Sequence, residues 1–268
     1  FAKERLKRLI AYARNLGYEF IEVYTNATLI DDEMINFLAQ EKVSCAISFY
    51  SHDKTIHDNI TGVAGSQERT VETTQKLLAK EITIRAAIIL SELNKQDLRD
   101  SIEYLQKTIG VPKVTWDYVR PIGRGANDFK AEEPHLTQEH EMRFNGIDAD
   151  TFKQRKQGNA CLNHHLCVSP DGNVYPCIMG KDVLMGNVLD QTLQEIVSSD
   201  KACDIWGCSK DRVSGCDMCE YRYACFDCRP KVFAMTNDLY AKPSDCLYDP
   251  YTGRWEEGKT QKRKETVC

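Results

Sequence analysis

The uneven distribution of cysteine constrains this chain more than any other feature. Of its 12 cysteines, only Cys45 lies in residues 1–160, and the other eleven lie in residues 161–268. This density, about 10% of the C-terminal part, is typical of a disulfide scaffold or a metal-bound domain. Disulfides need an oxidising compartment, and the charged, amphipathic residues 1–14 do not form a secretion signal. Metal or cluster ligation is therefore the better interpretation.

The charge balance and the hydropathy pattern exclude two classes of partner. The chain has 35 basic and 40 acidic side chains, a formal net charge of −5, which is too mild an imbalance to favour nucleic acid. No stretch approaches the ~18 consecutive apolar residues of a membrane span. We therefore predict a cytoplasmic protein with no nucleic-acid partner and no membrane partner.

The N-terminal half alternates amphipathic helices with short β-branched or aromatic runs. Such alternation predicts a parallel sheet with helices outside it. The chain begins in a helix, and four strands are too few for a closed barrel, so we expect at least one strand to precede residue 1. The predicted helices are 3–15, a helix capped by Asp31 that runs to about 41, a helix capped by Ser66 that runs to about 80, and 95–109; the predicted strands are 20–25, 44–50, a continuously buried 82–90, and 114–119.

Changes in composition predict the domain boundaries. Residues 1–125 form the α/β part, and the charged, proline- and glycine-punctuated residues 126–160 form a linker or bridging region. The cysteine-rich domain occupies residues 161–255. Residues 256–268 form a charged tail.

The spacing of the cysteines indicates two sets of four. A C-x5-C-x9-C run is followed by C-x2-C-x5-C-x2-C and then by a last cysteine, and residues 168–175 read as a hairpin with Gly172 in its turn. Short C-x2-C steps suit both zinc and iron–sulfur sites. A zinc ribbon usually separates its pairs by ~12–20 residues, which favours clusters but leaves a non-enzymatic, zinc-stabilised binding module open. The eight candidates are Cys161, Cys167, Cys177, Cys216, Cys219, Cys225, Cys228 and Cys246.

This pattern resembles the SPASM domain of radical S-adenosylmethionine (SAM) enzymes, although the final C-x2-C step is one residue shorter than usual. The resemblance implies two auxiliary [4Fe-4S] clusters with interleaved ligands. By position, the first would be held by Cys161, Cys167, Cys177 and Cys228. The second would be held by Cys216, Cys219, Cys225 and Cys246.

The N-terminal half carries its own resemblance to radical SAM barrels. Residues 24–27 (YTNA) resemble the TNG turn, and residues 48–53 and 65–70 are similar to the fourth strand and next helix start of SPASM maturases. The resemblance implies that Asn26, Ser48 and Arg69 contact SAM, with Arg69 and the helix amides binding the SAM carboxylate. The residues alone also allow other roles. Asn26 could be a turn residue in the left-handed region, and Ser48 could be an ordinary strand hydroxyl. Arg69 could form a surface ion pair with Glu68 or Glu72.

Other polar residues have weaker interpretations. His52 and His57 are predicted to be loop residues at the barrel mouth. Arg85 and Arg120 occupy strand positions that face the barrel or form structural salt bridges.

The resemblance implies a fold and a missing part. The fold would be a partial (β/α)6 radical SAM barrel that lacks its first strands, followed by a small SPASM domain with a β-hairpin and short helices. The sequence contains no CxxxCxxC loop, so we expect the third, SAM-binding [4Fe-4S] cluster to belong to a segment before residue 1. As written, the chain should not cleave SAM.

The substrate expectation also comes from resemblance. Residues 220–230 and 242–255 look like SPASM maturases that modify ribosomally made precursor peptides. The implied reaction is hydrogen abstraction by a 5′-deoxyadenosyl radical and formation of a cysteine thioether, with flavodoxin or ferredoxin as electron donor. Anaerobic sulfatase maturases are the near alternative, but the position of their aspartate base is Ile178 here.

Overall fold

The computed structural model describes residues 3–120, 122, 123, 125, 147–244 and 246–255. Most of the predicted linker and the predicted tail, residues 126–146 and 256–268, lie outside the described residues. The chain divides into two compact units, Phe1–Val119 and Arg120–Cys268. No helix in the described ranges combines the length and the hydropathy needed to cross a bilayer.

The first unit is a four-stranded parallel sheet, which confirms the predicted α/β class. The strands follow one another in chain order, and every neighbouring pair is parallel. Parallel neighbours need crossover connections, and helices supply them. The strands are β1 (Glu22–Thr25), β2 (Ser44–Phe49), β3 (Ile84–Leu90) and β4 (Lys113–Tyr118).

The helices of this unit pack on one face of the sheet. Buried side chains of the helices, such as Ile10, Met34 and Leu77, join alternate strand residues in a single apolar core. The helical segments are α1 (Lys3–Asn15), α2 (Asp32–Gln40), α3 (Lys54–Thr61), α4 (Ser66–Ala79), and a stretch that begins as a 3₁₀ turn (Lys95–Asp97), continues as α5 (Leu98–Glu103) and ends as a π turn (Tyr104–Ile109).

The second face of the sheet is not covered by helices of this unit, which changes the pattern of β3. We predicted 82–90 as continuously buried, but burial along β3 alternates residue by residue. Ile84, Ala86 and Ile88 point into the core, whereas Arg85 and Ala87 are half-buried on the other face. Alternation of this kind is expected when only one face of a sheet is packed.

Local capping signals explain why α1 and α2 were placed correctly. Helix α1 covers the predicted residues, and Gly17 follows it in the left-handed region at φ 85°. The Asp31 carboxylate accepts a hydrogen bond from the amide of Met34 at 3.1 Å, so Asp31 caps α2 as predicted.

Helix α3 was not predicted, and it corrects the placement of His57. The Asp53 carboxylate caps this eight-residue helix by accepting from the amides of Thr55 and Ile56. His57 is not a loop residue at the barrel mouth: it lies in α3 with 1% of its surface exposed. Its ring lies 5.1 Å from that of Phe49 and 5.4 Å from that of Tyr50.

The start of α4 also differs from the prediction. Ser66 is the first helical residue, and the N-cap residue is Gly65, which has no side chain to cap the helix. The Asp58 carboxylate, which projects from α3, accepts from the amides of Gly65 and Gln67 and from the Ser66 hydroxyl at 2.5–3.0 Å. These hydrogen bonds, that of Gln67 first, hold the pKa of Asp58 at about 2. A side chain from the preceding helix therefore replaces the predicted cap.

The second unit is built on a small three-stranded antiparallel sheet that contains the predicted hairpin. The turn closes through hydrogen bonds between Ser169 and Asn173, and Gly172 lies in the left-handed region at φ 83°. The strands are β5 (Cys167–Val168), β6 (Asn173–Tyr175) and β7 (Gly186–Asn187), with β8 (Tyr248–Asp249) and β9 (Arg254–Trp255) forming a separate two-stranded ladder.

Short helices complete the second unit. Their buried side chains, including Ile196 and Ile205, pack against Val174 of the hairpin and Leu162 in a second apolar core. The helices are α6 (Ala149–Gln157), α7 (Leu193–Val197), α8 (Asp200–Trp206), a 3₁₀ turn (Lys210–Arg212) and α9 (Arg229–Thr236).

Replacing Gly172 with alanine should destabilise the hairpin strongly. A Cβ there would lie 2.7 Å from Asn187 Oδ1 and 2.9 Å from Leu189 Cγ, so the clash adds to the ~1–2 kcal/mol that a left-handed alanine costs. The measurement is the midpoint of urea unfolding. Gly17→Ala is the matched control, because Gly17 has φ 85° and no atom within 4 Å of a Cβ. Equal losses of stability in the two variants would contradict the role of the clash.

Candidate cluster and cofactor sites

The second set of cysteines lines one cavity in the second unit. All four of its members contribute to the wall of a pocket of about 350 Å³, including its open mouth. The C-x2-C step from Cys216 lies in the turns after the 3₁₀ segment, and Cys246 reaches the same pocket from just before β8. The lining residues are Lys210, Gly215, Cys216, Cys219, Tyr221, Arg222, Cys225, Lys242, Cys246, Tyr248 and Pro250.

The wall of this cavity is positively charged. Among the described residues, its lining contains three basic side chains, Lys210, Arg222 and Lys242, and no carboxylate. Arg222 pairs with Asp211 at 2.9 Å outside the wall, and Lys242 donates to the carbonyl of Tyr248 at 2.7 Å. A cationic wall around four thiols suits an anionic, thiolate-ligated group.

Burial makes these thiols poor acids when they stand alone. It raises the pKa of Cys216 and Cys219, and it raises the pKa of Cys225 to about 12, in each case against the opposing charge of Lys210. The thiolate is the form that binds metal, and metal binding displaces the proton of the thiol. The donor set therefore fits a metal–sulfur group held within the cavity.

Three members of the first set also come together. Burial raises the pKa of Cys161, and the charges of Cys177 and Cys228 raise it further. The fourth, Cys167, pairs with Tyr175 across the hairpin, two residues before Cys177. One of these sulfurs accepts a backbone hydrogen bond: the amide of Met179 donates to Cys177 Sγ at 3.2 Å.

Arg120 has a partner that sequence reasoning missed. Its Nη1 donates to Cys228 Sγ at 3.3 Å, and its charge lowers the pKa of that thiol against the larger effect of burial. The expectation of a strand-facing or salt-bridged arginine did not include a cysteine partner. The two residues are 108 positions apart, so no local pattern connects them.

The cysteines are not drawn together as they would be around a single ion. A zinc ion with Zn–S bonds of about 2.3 Å would bring its sulfurs to about 3.8 Å from one another. Within the described ranges, no three His, Cys, Asp or Glu side chains are arranged to hold one metal ion. The four cysteines of the second set instead share the wall of one cavity.

Ser48 lies on the uncovered face of the parallel sheet. It is half-buried, it is the next-to-last residue of β2, and it pairs in register with Ala87. Its neighbours on this face have small side chains: Ala46 lies two residues before it in β2, and Ala87 is its partner in β3. The carboxyl ends of parallel strands are where α/β sheets bind ligands.

The turn after β1 carries Asn26 at the same end of the sheet. Asn26 is exposed, and its Oδ1 accepts from the amide of Thr28 at 3.3 Å. The left-handed residue of the turn is Ala27 at φ 62°, not Asn26. The Thr70 hydroxyl donates to the carbonyl of Asn26 at 2.8 Å, which ties this turn to the first turn of α4.

Arg69 lies in that first turn with an exposed side chain. Its Nη2 donates to the carbonyl of Ala64 at 3.1 Å, whereas Glu68 pairs with Lys54 and Glu72 pairs with Lys76. The structure thus has neither of the ion pairs considered for Arg69. Asp58 already accepts from the amides of Gly65 and Gln67, so these two amides are not available to a second carboxylate.

Arg85 and Glu22 form an ion pair on the uncovered face. Arg85 donates to both carboxylate oxygens of Glu22, at 2.9 and 2.7 Å, and its guanidinium lies 4.9 Å from the centre of the Tyr24 ring. This pair holds the pKa of Glu22 below its usual range. Both interpretations of Arg85 therefore hold: it faces the uncovered side and it is salt-bridged.

Comparison with known families identifies the second unit. Residues 161–229 match the SPASM family, described as an iron–sulfur cluster-binding domain. This match includes seven of the eight candidate cysteines and confirms the resemblance on which they were assigned.

Relatives match over most of the chain. The Bacillus subtilis (strain 168) protein named "Antilisterial bacteriocin subtilosin biosynthesis protein AlbA" is 24% identical over 247 residues, which cover 86% of this chain and 54% of AlbA. The chain thus spans about half the length of AlbA. An "AdoMet-dependent heme synthase" of Methanosarcina barkeri is 24% identical over 272 residues, 89% of this chain and 77% of the relative.

A solved structure shares the fold. The crystal structure of Streptococcus suis SuiB bound to precursor peptide SuiA superposes with a TM-score of 0.69 at 15% identity, covering 90% of this chain and 61% of SuiB. The likeness shows a shared fold. Within this chain, residues 161–229 match the iron–sulfur cluster-binding SPASM domain.

His57 should make the first unit sensitive to acid. Burial lowers the pKa of His57 from 6.5 to about 4, against the opposing charge of Asp58. The folded pKa lies below the unfolded one, so the stabilisation is complete above pH 6.5 and is lost as the pH falls towards 4. We expect the His57 Cε1 proton to titrate with a midpoint near pH 4 by NMR.

The matched variant is His57→Asn, which keeps a polar group near Ser66 and removes the titration. Its free energy of unfolding should depend less on pH between 6.5 and 4 than that of the parent. A His57 midpoint near the unperturbed value would show that the ring is solvated.

Proposed function

We propose that this chain is the SAM-binding and cluster-binding part of a radical SAM/SPASM maturase that forms cysteine thioethers in a ribosomally made precursor peptide. The observation that carries the proposal is the cationic cavity lined by four cysteines, with a second group of cysteines elsewhere in the same unit. Each set would hold one auxiliary [4Fe-4S] cluster. A third cluster, in a CxxxCxxC loop, would bind SAM.

In this proposal, SAM binds at the carboxyl ends of the parallel strands, where this chain supplies three contacts. Arg69 binds the SAM carboxylate with its exposed guanidinium, and Asp58 keeps the start of α4 in place. Ser48 contacts the ribose or amino-acid part, and Asn26 contacts SAM from the turn after β1. When bound, SAM and the clusters supply a 5′-deoxyadenosyl radical and an acceptor for one electron.

The peptide substrate would lie against the uncovered face of the sheet. The Glu22–Arg85 pair and the exposed Tyr24 ring give this face both hydrogen-bonding and apolar contacts for a peptide chain. SuiB, which shares the fold, is described as bound to its precursor peptide SuiA. The remaining partner is a flavodoxin or ferredoxin, and the proposed location is the cytoplasm.

Two other reactions are compatible with this fold. An anaerobic sulfatase maturase would use a carboxylate after the third cysteine, and that position is Ile178, whose apolar side chain is 66% exposed. One relative is named for heme synthesis and not for peptide modification. Mass spectrometry of the peptide product distinguishes both of these reactions from thioether formation. Metal analysis distinguishes an enzyme with iron–sulfur clusters from a zinc-stabilised binding module.

Metal analysis tests the two-cluster assignment. Protein purified without oxygen should contain about eight iron and about eight sulfide in the SPASM unit. Cys219→Ala and Cys161→Ala should each remove about four iron, because each belongs to a different set. Cys203→Ala, at an exposed cysteine outside both sets, is the matched control and should keep all of the iron.

Two outcomes would reject this assignment. Zinc without sulfide would leave the binding module as the function. Loss of all iron in both ligand variants would indicate one site shared by the two sets.

The reaction itself is tested by mass spectrometry with the complete protein, SAM, a reductant and the precursor peptide. Each thioether replaces one C–H and one S–H bond with one C–S bond, so the product should be lighter by two hydrogen atoms per link. Alkylation should then modify one cysteine fewer per link. A formylglycine product, which keeps no cysteine sulfur, would point to the sulfatase alternative.

Arg69→Gln gives the residue-level control for SAM binding. A hydrogen bond to a charged group contributes about 1.5–3 kcal/mol, so SAM affinity should fall about 10- to 100-fold by calorimetry. Arg99→Gln removes an equally exposed arginine from α5 and should change nothing. Unchanged affinity in Arg69→Gln would remove this residue from the site.

A further inference from the structure

Lys210 is a buried cation at the wall of the second cysteine cavity. Only 7% of its surface is exposed, although lysine is almost never buried without a strong partner. It belongs to the cavity lining together with all four cysteines of the second set. Its Nζ pairs with the Asp227 carboxylate, and no other described residue accepts a hydrogen bond from it.

Lys210 is held from one side by a buried carboxylate. Its Nζ lies 2.6 Å from Asp227 Oδ2, and Asp227 is 1% exposed. The same oxygen contacts Nη2 of Arg229, which is also 1% exposed. Arg229 is fixed in turn, because its Nη1 donates to the carbonyls of Leu239 and Ala241 at 3.0 and 2.8 Å.

The charges of this triad do not cancel. Two cations share one carboxylate, which leaves one positive charge inside the unit. Arg229 alone would neutralise Asp227, so the ion pair does not by itself explain Lys210. A buried charge without compensation costs several kcal/mol, and such a cost is tolerated where an anion completes the site.

The cysteines lie on the side of Lys210 that faces the cavity. The Lys210 charge opposes the effect of burial on the pKa of Cys216, Cys219 and Cys225, so its ammonium acts on three of the four sulfurs. A [4Fe-4S] cluster with four thiolates is an anion, and its potential depends on nearby charge and on hydrogen bonds to sulfur. Lys210 and the sulfurs that would bind such a group thus share the wall of one cavity.

We propose that Lys210 is the charge partner of the second auxiliary cluster, donating N–H hydrogen bonds to its sulfurs and raising its reduction potential. Asp227 and Arg229 position the ammonium. Lys210 is a positioning and tuning residue, not a ligand. This inference rests on the proposed presence of a cluster in the second set.

The test is a redox titration, followed by electron paramagnetic resonance, of the anaerobically purified protein. Cys219→Ala identifies the wave of the second cluster, because that wave is missing from the variant. In Lys210→Met, a positive charge next to the cluster is gone, so the reduced, more negative state loses stabilisation. At a fixed potential its reduced-to-oxidised ratio should fall about ten-fold, equal to a shift of about 59 mV to lower potential. Only this wave should move.

Two variants separate charge from shape. Lys210→Arg keeps the charge and should restore most of the parent potential. Lys201→Met removes an exposed lysine from α8 and should leave every wave unchanged. Lys210→Met is expected to fold, because Asp227 remains paired with Arg229 in a balanced ion pair.

Each result decides the proposal. A Lys210→Met protein with unchanged iron and unchanged potentials would overturn it. Loss of about four iron in Lys210→Met but not in Lys210→Arg would support it, because loading would then need the charge. The same loss in both variants would overturn it in favour of packing. If the parent protein has no wave that Cys219→Ala removes, the second cluster itself is wrong, and that result concerns the proposed function before any Lys210 variant is compared.

Discussion

Burial of cysteine sulfur beside fixed cations is the constraint on which the second unit depends. Its strands are only two or three residues long and its helices are short, so regular hydrogen bonding contributes little stability. Metal binding can therefore contribute to its folding. A cluster that joins Cys216, Cys219 and Cys225 to the distant Cys246 would provide a cross-link, since the last of these precedes β8. Apolar packing around Ile196 then stabilises the rest.

The first unit satisfies a different constraint, because its sheet has one packed face and one polar face. The packed face explains the alternation along β3 and the buried stripe of each helix. The polar face carries Ser48 and the Glu22–Arg85 pair, and it ends at the turn that contains Asn26. A hydrogen bond from the Thr70 hydroxyl to the Asn26 carbonyl ties that turn to α4, so helix packing helps to position it.

Features with a local signal were predictable from the sequence. The Asp31 cap, the glycine after α1 and the Gly172 turn each act within a few residues, and each was placed correctly. Helix α3 was missed because it is polar and only eight residues long. The cap on α4 was missed because Asp58 reaches it from another helix. The bond from Arg120 to Cys228 and the Lys210–Asp227 pair join residues far apart in the chain, and spacing rules contain no information about them.

The two groups of cysteines differ in the cationic side chain that lies beside each group. Arg120 donates to Cys228 through a rigid, planar guanidinium, whereas Lys210 presents an ammonium to the wall of the other cavity. Arginine keeps its charge in every environment, and lysine is a compact point charge with three donors. A protein with two clusters of one chemical type can separate their potentials only through such surroundings. The different cations therefore provide a physical means of giving the two proposed clusters different roles in electron transfer.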